Sequence, residues 1–182
     1  MIGGHFDFAD EGRGIVDDWS GTSLLPSLYQ ALKTAPRRHT FIFGAFASEE
    51  RGLLGSSYYV KNLTAEQKSQ LKAFVNLECL GVSPTKVWIN RSDHDLVKYL
   101  NAVAISLNTP LNGVNVDQVG DDDTHPFLRV KIPVISIHSL TRETFPILHS
   151  KRDQMSAIHF DDYYASYRLA AYYLAYLDAK LD

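Results

Sequence analysis

The sequence predicts a three-layer α/β/α sandwich built around a mostly parallel, mixed central sheet. Two observations carry that prediction. Short apolar runs of strand type alternate with stretches of helical spacing, the order that produces parallel sheets covered by helices on both faces. The histidines and acids that stand out fall just past the strand-type runs, where α/β folds build their sites. The 182 residues fit one domain, 1–182, with one sizeable core.

The elements follow in order. Ile2-Gly3-Gly4 reads as the tail of a strand whose beginning lies upstream, so the fold is expected to be N-terminally truncated. Ser20-Gly21 opens a helix through Leu24, Leu25, Leu28 and Leu32, with Pro26 tolerated in the first turn. His39 to Ala47 is apolar and aromatic and reads as a buried strand. Gly52 to Leu63 has helical spacing, Leu71 to Leu77 and Lys86 to Asn90 read as strands, and Asp93 caps a helix to Leu107. Ile132 to His138 is a further short strand, and Asp161 to Leu181 is a closing helix rich in tyrosine. Packing on the sheet is the expected role of those tyrosines.

Composition excludes several classes of function. Hydrophobic residues make up 45% and charged residues 21%, an ordinary globular balance. The 18 basic and 21 acidic side chains leave a formal charge of -3, with no basic stripe to bind nucleic acid. The longest apolar stretches, such as Phe41 to Ala47, are far too short to span a bilayer. A single cysteine, Cys79, rules out an intrachain disulfide and leaves the compartment open. No charged n-region of a secretory signal opens the chain.

Five motifs carry chemistry. Gly4-His5-Phe6-Asp7 offers an imidazole, a common zinc ligand, with Asp7 able to orient its second ring nitrogen. Asp17-Asp18-Trp19-Ser20-Gly21 places two acids at the mouth of a helix, where they could cap it or bridge two cations. Glu49 and Glu50 directly follow an apolar strand, an awkward pairing unless something positive is near. Strand geometry would point them to different sides. Glu78 ends the run Phe74 to Leu77 and needs a partner, a metal or a buried cation. His149 stands in Leu148-His149-Ser150-Lys151-Arg152-Asp153. Each motif alone also fits a structural role. Together, two histidines and three carboxylates form a mixed N/O set suited to zinc.

The order of these motifs closely resembles the cocatalytic dizinc aminopeptidases, a family that extends to glutamate carboxypeptidases and glutaminyl cyclases. The resemblance runs from Gly4 to the last helix, through GGHFD, DDWSG, ASEERGLLGS, NLECLG and LHSKRD. It implies a phosphorylase/hydrolase-like zinc peptidase fold and a metal-dependent exopeptidase that releases N-terminal amino acids from peptides. It implies two Zn2+ ions, or one if the site is incomplete. His5, Asp17 and Glu78 would hold one ion, and Asp17, Glu50 and His149 the other. Glu49 would be the general base. Asp7, Asp18 and Asp153 would support the ligands from behind, and the Asp17–Asp18 peptide bond would be cis.

Three departures stand out. Glu78 occupies a position where the family usually has aspartate. The S-D-H-x-P-F segment appears as Asp122-Asp123-Thr124-His125-Pro126-Phe127, with the histidine displaced by one place, so His125 is given a wall or packing role. The family's strand-helix-strand portion before the first histidine is almost missing, which puts His5 on a fraying end and leaves a sheet edge through which copies could associate. Trp19, Phe127, Phe145 and Ile147 are candidate pocket walls, Ser139 to Phe145 a loop over the site, and Arg142 a candidate partner for a substrate carboxylate. Two rival readings remain: a single-zinc glutaminyl cyclase using Asp17, Glu50 and His149, and an inactive truncated module.

Overall fold

The computed structural model describes residues 1–9, 11–118 and 120–182. Among them, six strands form one sheet: β1 (Ile2–His5), β2 (Phe43–Phe46), β3 (Phe74–Leu77), β4 (Lys86–Val87), β5 (Asn112–Gly113) and β6 (Val134–His138). Their order is β2-β1-β3-β6-β4-β5. The four strands from β2 to β6 run parallel, β4 runs antiparallel to β6, and β5 is parallel to β4. The mixed, mostly parallel sheet is the one the sequence predicts.

Side-chain alternation explains the layers. Successive residues of a strand face opposite sides. Ile2, Val75, Leu77, Ile135 and Ile137 enter one core, with Leu28, Leu100, Leu169 and Tyr173 from the helices. Those helices are α2 (Leu24–Leu32), preceded by the single turn α1 (Ser20–Thr22), with α5 (His94–Ser106) and α7 (Phe160–Lys180). Phe46, Phe74 and Val134 enter the opposite core, against Val60 of α3 (Leu54–Asn62) and Phe127 of α6 (Thr124–Arg129). Phe74 and Phe127 stack there with centroids 4.1 Å apart. Tyr173 is buried and donates to the Leu96 carbonyl at 2.9 Å, so this tyrosine packs on the sheet as expected.

Several boundaries differ from the sequence reading, each for a local reason. The strand expected from His39 is confined to Phe43–Phe46, because the first residue of β1 in register, Ile2, faces Phe43. Upstream, the amides of Arg38 and His39 are held instead by the Asp178 carboxylate. Helix α3 starts at Leu54 rather than Gly52, since Gly52 and Leu53 adopt left-handed φ values of 99° and 58°. The strand expected to run to Asn90 stops at Val87 and turns into a short 3-10 helix, Ile89–Arg91. Two helices were not read from the sequence: α4 (Ala65–Gln70) and α6. Helix α4 carries a legible signal, the capping box between Thr64 and Gln67.

His5 does not lie on a fraying end. It closes β1, which is flanked by β2 and β3, and it is fully buried. β2 is one edge of the sheet, paired with β1 alone among the described residues, and β5 is the other. No helix among the described residues is long and apolar enough to cross a membrane.

Candidate metal centre

The carboxyl ends of β1, β2 and β3 lie side by side, and each delivers part of one site. β1 ends on His5 and β3 is followed directly by Glu78. After β2 the chain turns at Ser48, whose φ is 60°, and presents Glu49 and Glu50 from a turn rather than from a strand. Alternation along a strand therefore does not separate the two glutamates.

Two three-atom groups result. His5 Nε2 lies 3.1 Å from Asp17 Oδ1 and 3.1 Å from Glu78 Oε1. His149 Nε2 lies 3.1 Å from Asp17 Oδ2 and 3.0 Å from Glu50 Oε2. Asp17 thus gives one oxygen to each group, and each set could hold a metal ion. Glu49 adjoins the first group without belonging to either, its Oε2 3.9 Å from His5 Nε2.

The donor set fits zinc. Ligand atoms around a tetrahedral zinc at ~2.0–2.1 Å are about 3.3 Å apart, close to the separations found here. Glu50 Oε1 is buried with no hydrogen-bond partner among the described residues, a costly state that a cation relieves. Charge points the same way. Burial, together with Glu78, pushes the Glu49 carboxyl up to about 10. Burial and the Asp17 charge push Glu50 up to about 7. Burial would also raise Asp17, but hydrogen bonds to His149 and His5 hold it below the usual carboxylate range. Burial opposes charge on His5, yet Glu78, Asp17 and Asp18 raise it. His149 is raised chiefly by its bond to Asp17. So many acids in one place lack positive charge, which bound cations would supply.

The supporting acids act mainly on the backbone around the candidate ligands. The backbone carbonyl of Asp7, not its carboxylate, is the group at hydrogen-bond distance from His5 Nδ1, 3.1 Å away. The Asp7 carboxylate accepts the amides of Glu49 and Glu50, at 3.0 and 3.3 Å. Asp18 is fully buried and accepts from Gly21 N and Cys79 N, tying the turn to the end of β3. The Asp17–Asp18 peptide is cis, as the resemblance implies. Gly4 leaves room for this: a Cβ there would meet Asp18 Oδ2 at 2.6 Å and the Leu77 carbonyl at 2.7 Å. Asp153 accepts the amide of Val16 at 2.6 Å, across 137 residues of sequence, and so fixes the loop that carries Asp17.

Sequence reasoning missed a polar chain behind Glu78. Asn76 Nδ2 donates to Glu78 Oε2 at 2.7 Å and to Asp122 Oδ2 at 3.2 Å. Asp122 also accepts from the Ser136 hydroxyl at 2.5 Å and from the amide and hydroxyl of Thr124. Thr124, where the family pattern has histidine, is an anchor for Asp122. The signal was an asparagine inside an otherwise apolar strand.

A cavity of about 390 Å³ adjoins the metal groups and is walled by Leu53, Trp88, Val116, Leu140 and Leu148. The expected walls are elsewhere. Phe127 is buried against Phe74, Phe145 and Ile147 pack against the apolar cluster that contains Trp88, Val116, Leu140 and Leu148 without lining the cavity themselves, and Trp19 is half exposed outside the cavity lining. Of the loop Ser139 to Phe145, only Leu140 lines the cavity; Arg142 is exposed and does not. A larger cavity of about 520 Å³ lies on the far side of the molecule, between residues 38–42 and the end of α7, with neither metal group near it.

The model of peptidase family M28 matches residues 1–174. The chain belongs to peptidase family M28. Among curated M28-like relatives, leupeptin-inactivating enzyme 1 of Streptomyces exfoliatus is 30% identical over 142 residues, covering 76% of this chain and 32% of that protein. Aminopeptidase YwaD of Bacillus subtilis is 29% identical, covering 85% of this chain and 35% of that one. The M28 chain thus spans about a third of the length of these relatives. The solved structure of BSAP, a zinc aminopeptidase from Bacillus subtilis, superposes with a TM-score of 0.87 at 24% identity, over 100% of this chain and 45% of that one. An Acidobacteriales bacterium glutaminyl cyclase superposes with a TM-score of 0.81 at 17% identity, over 98% of this chain and 69% of that one. These likenesses establish the fold: the sandwich expected from the sequence.

Proposed function

We propose that this chain is the catalytic portion of a zinc aminopeptidase that binds two metal ions and releases N-terminal residues from peptides. One observation carries the reading: Asp17 shares its two carboxylate oxygens between two complete ligand groups. His5 and Glu78 complete one group, Glu50 and His149 the other. Bound zinc supplies Lewis acidity and neutralises the crowded carboxylates.

The remaining chemistry belongs to the protein. Glu49 is held by its amide on Asp7 and stands within 3.9 Å of His5 without belonging to either ligand group. That leaves its carboxylate free to take a proton from the attacking water and return it to the leaving amine. The apolar cavity beside it accepts the first side chain of the peptide. Asn76, Asp122 and Ser136 hold Glu78 in its rotamer, which offsets the extra methylene relative to aspartate.

The test is zinc content together with Glu49→Gln in the full-length protein. Two ions per chain and hydrolysis of aminoacyl anilides are expected. Glu49→Gln should lower kcat by about 10²- to 10⁴-fold, the usual worth of a general base, with both ions retained. One tightly held ion and no hydrolysis would sink the proposal in favour of a glutaminyl cyclase. Full zinc loading with neither hydrolysis nor cyclisation would leave an inactive module.

A further inference from the structure

One cluster of charged side chains lies outside both metal groups yet borders the same cavity. Arg91 ends the 3-10 turn that follows β4. Its guanidinium carbon stands 5.2 Å from the centroid of the Trp88 ring, within cation–π range. Its Nη2 donates to Asp121 Oδ1. His125 Nδ1 lies 3.0 Å from Asp121 Oδ2 and 3.3 Å from Arg91 Nη1. The histidine displaced from the family's pattern is used here. Trp88 and Asp121 both line the cavity, and one side chain, Arg91, grips both.

The wall that carries Asp121 needs such a grip. The described residues of segment 114–122 form no helix or strand, yet they contribute Val116, Gly120, Asp121 and Asp122 to the cavity. The segment's ends are tied to the rest of the fold, Asp122 by Asn76, Ser136 and Thr124 and the Val114 carbonyl by His138, and residues 87–91 add further ties along it. Asn90 donates its amide to Asn115 Oδ1 at 3.0 Å and its Nδ2 to Asp117 Oδ2 at 3.3 Å. Val114 donates its amide to the Val87 carbonyl at 3.0 Å. Residues 87–91 therefore act as a clamp, with Arg91 at the point where it meets the cavity.

We infer that Arg91 is a specificity-determining positioning residue: it fixes the spacing between Trp88 and the wall at Asp121, and so favours a bulky apolar N-terminal side chain over a small one. A guanidinium suits the task because its planar fork meets a carboxylate while its face covers an aromatic ring. A wall that can drift loses contact with a large side chain far more than with a small one. The inference rests on the aminopeptidase reading, since it concerns the pocket for the first side chain.

Two readouts test it in the zinc-loaded, full-length protein. Calorimetry compares L-leucine hydroxamate with L-alanine hydroxamate, and kinetics compares leucyl with alanyl anilide. In Arg91→Ala the preference for leucine should fall about tenfold, within the range a pocket can win from a few methylenes. The loss should appear in KM for the leucyl substrate, with kcat changing far less. Asp121→Asn should give the same pattern, and the double variant should add nothing further, because both changes break one clamp. Arg91→Lys, which keeps the charge without the fork, should recover only part of the preference. An unchanged leucine preference in Arg91→Ala overturns the inference. So does an equal loss for both ligands with additive single effects, the mark of a merely structural role. If the wild-type protein cleaves no anilide, the aminopeptidase reading fails, while the calorimetric preference still decides the fate of the clamp.

Discussion

The Asp7 carboxylate grips the backbone of Glu49, accepting its amide at 3.0 Å, and reaches the next amide, that of Glu50, with its other oxygen. One acid thereby sets the position of the proposed base and of its neighbouring ligand. Asp7→Asn keeps the shape but turns one acceptor into a donor facing an N–H. Activity is expected to fall about 10- to 100-fold, the range for partners that orient a metal site. Zinc content should change little, because Asp7 supplies no ligand atom. Parallel kinetics and metal analysis check this; an equal loss of zinc and activity would count against it.

The two metal groups differ in exposure. His5 has a fully buried side chain, whereas 51% of the His149 side chain is accessible. The ion held by Glu50 and His149 is therefore expected to leave first under a chelator. Stepwise dialysis with metal analysis should reveal two phases, and His149→Ala should abolish the faster one. Loss of both ions in one phase would contradict the assignment.

A pH response follows from His138. Burial pushes its imidazole down to about 4, and it stays neutral. Its Nδ1 accepts the Leu140 amide and its Nε2 donates to the Val114 carbonyl, so it ties two parts of the cavity wall. The folded value lies below the unfolded one of about 6.5. Its contribution is thus present above pH ~6.5 and lost as pH falls towards 4, to the extent of roughly 3 kcal/mol. Denaturant unfolding at a series of pH values should show this loss. His138→Gln, which cannot charge, should flatten the difference.

Gly4 offers a test of packing. A methyl group there would strike both Asp18 and the Leu77 carbonyl. Gly4→Ala is expected to destabilise the fold by about 1–3 kcal/mol, as overpacking does. It should also weaken zinc binding, since Asp18 adjoins the bridging residue. A melting temperature and zinc affinity equal to wild type would refute this.

Two of the candidate ligands were legible because each is a polar residue at the end of an apolar run. His5 ends β1 and Glu78 directly follows β3. Buried parallel strands also read as short continuous apolar runs, so the class of sheet was readable, though not its strand order. Exact strand ends were not, because they depend on what lies alongside: Phe41 has strand character but stands outside the ladder between β1 and β2, and Ile42 joins it only through its carbonyl, which accepts the Ile2 amide. The cavity wall was equally hidden. Trp88, Val116 and Leu148 sit far apart in the chain, and only tertiary packing separates them from core residues such as Phe127. The support from Asn76 and Asp122 depends on a hydrogen bond across the sheet end, which no spacing along the chain reveals.

The bond between Asp153 and Val16 has a consequence in time as well as in space. A chain emerging from the ribosome exposes its loop with Asp17 long before residues 149 and 153 have been made. Until they arrive, Asp17 lacks both His149 beside its carboxylate and the acid that fixes its loop. On the proposed reading, the second metal group stays incomplete until both segments have been made and have met.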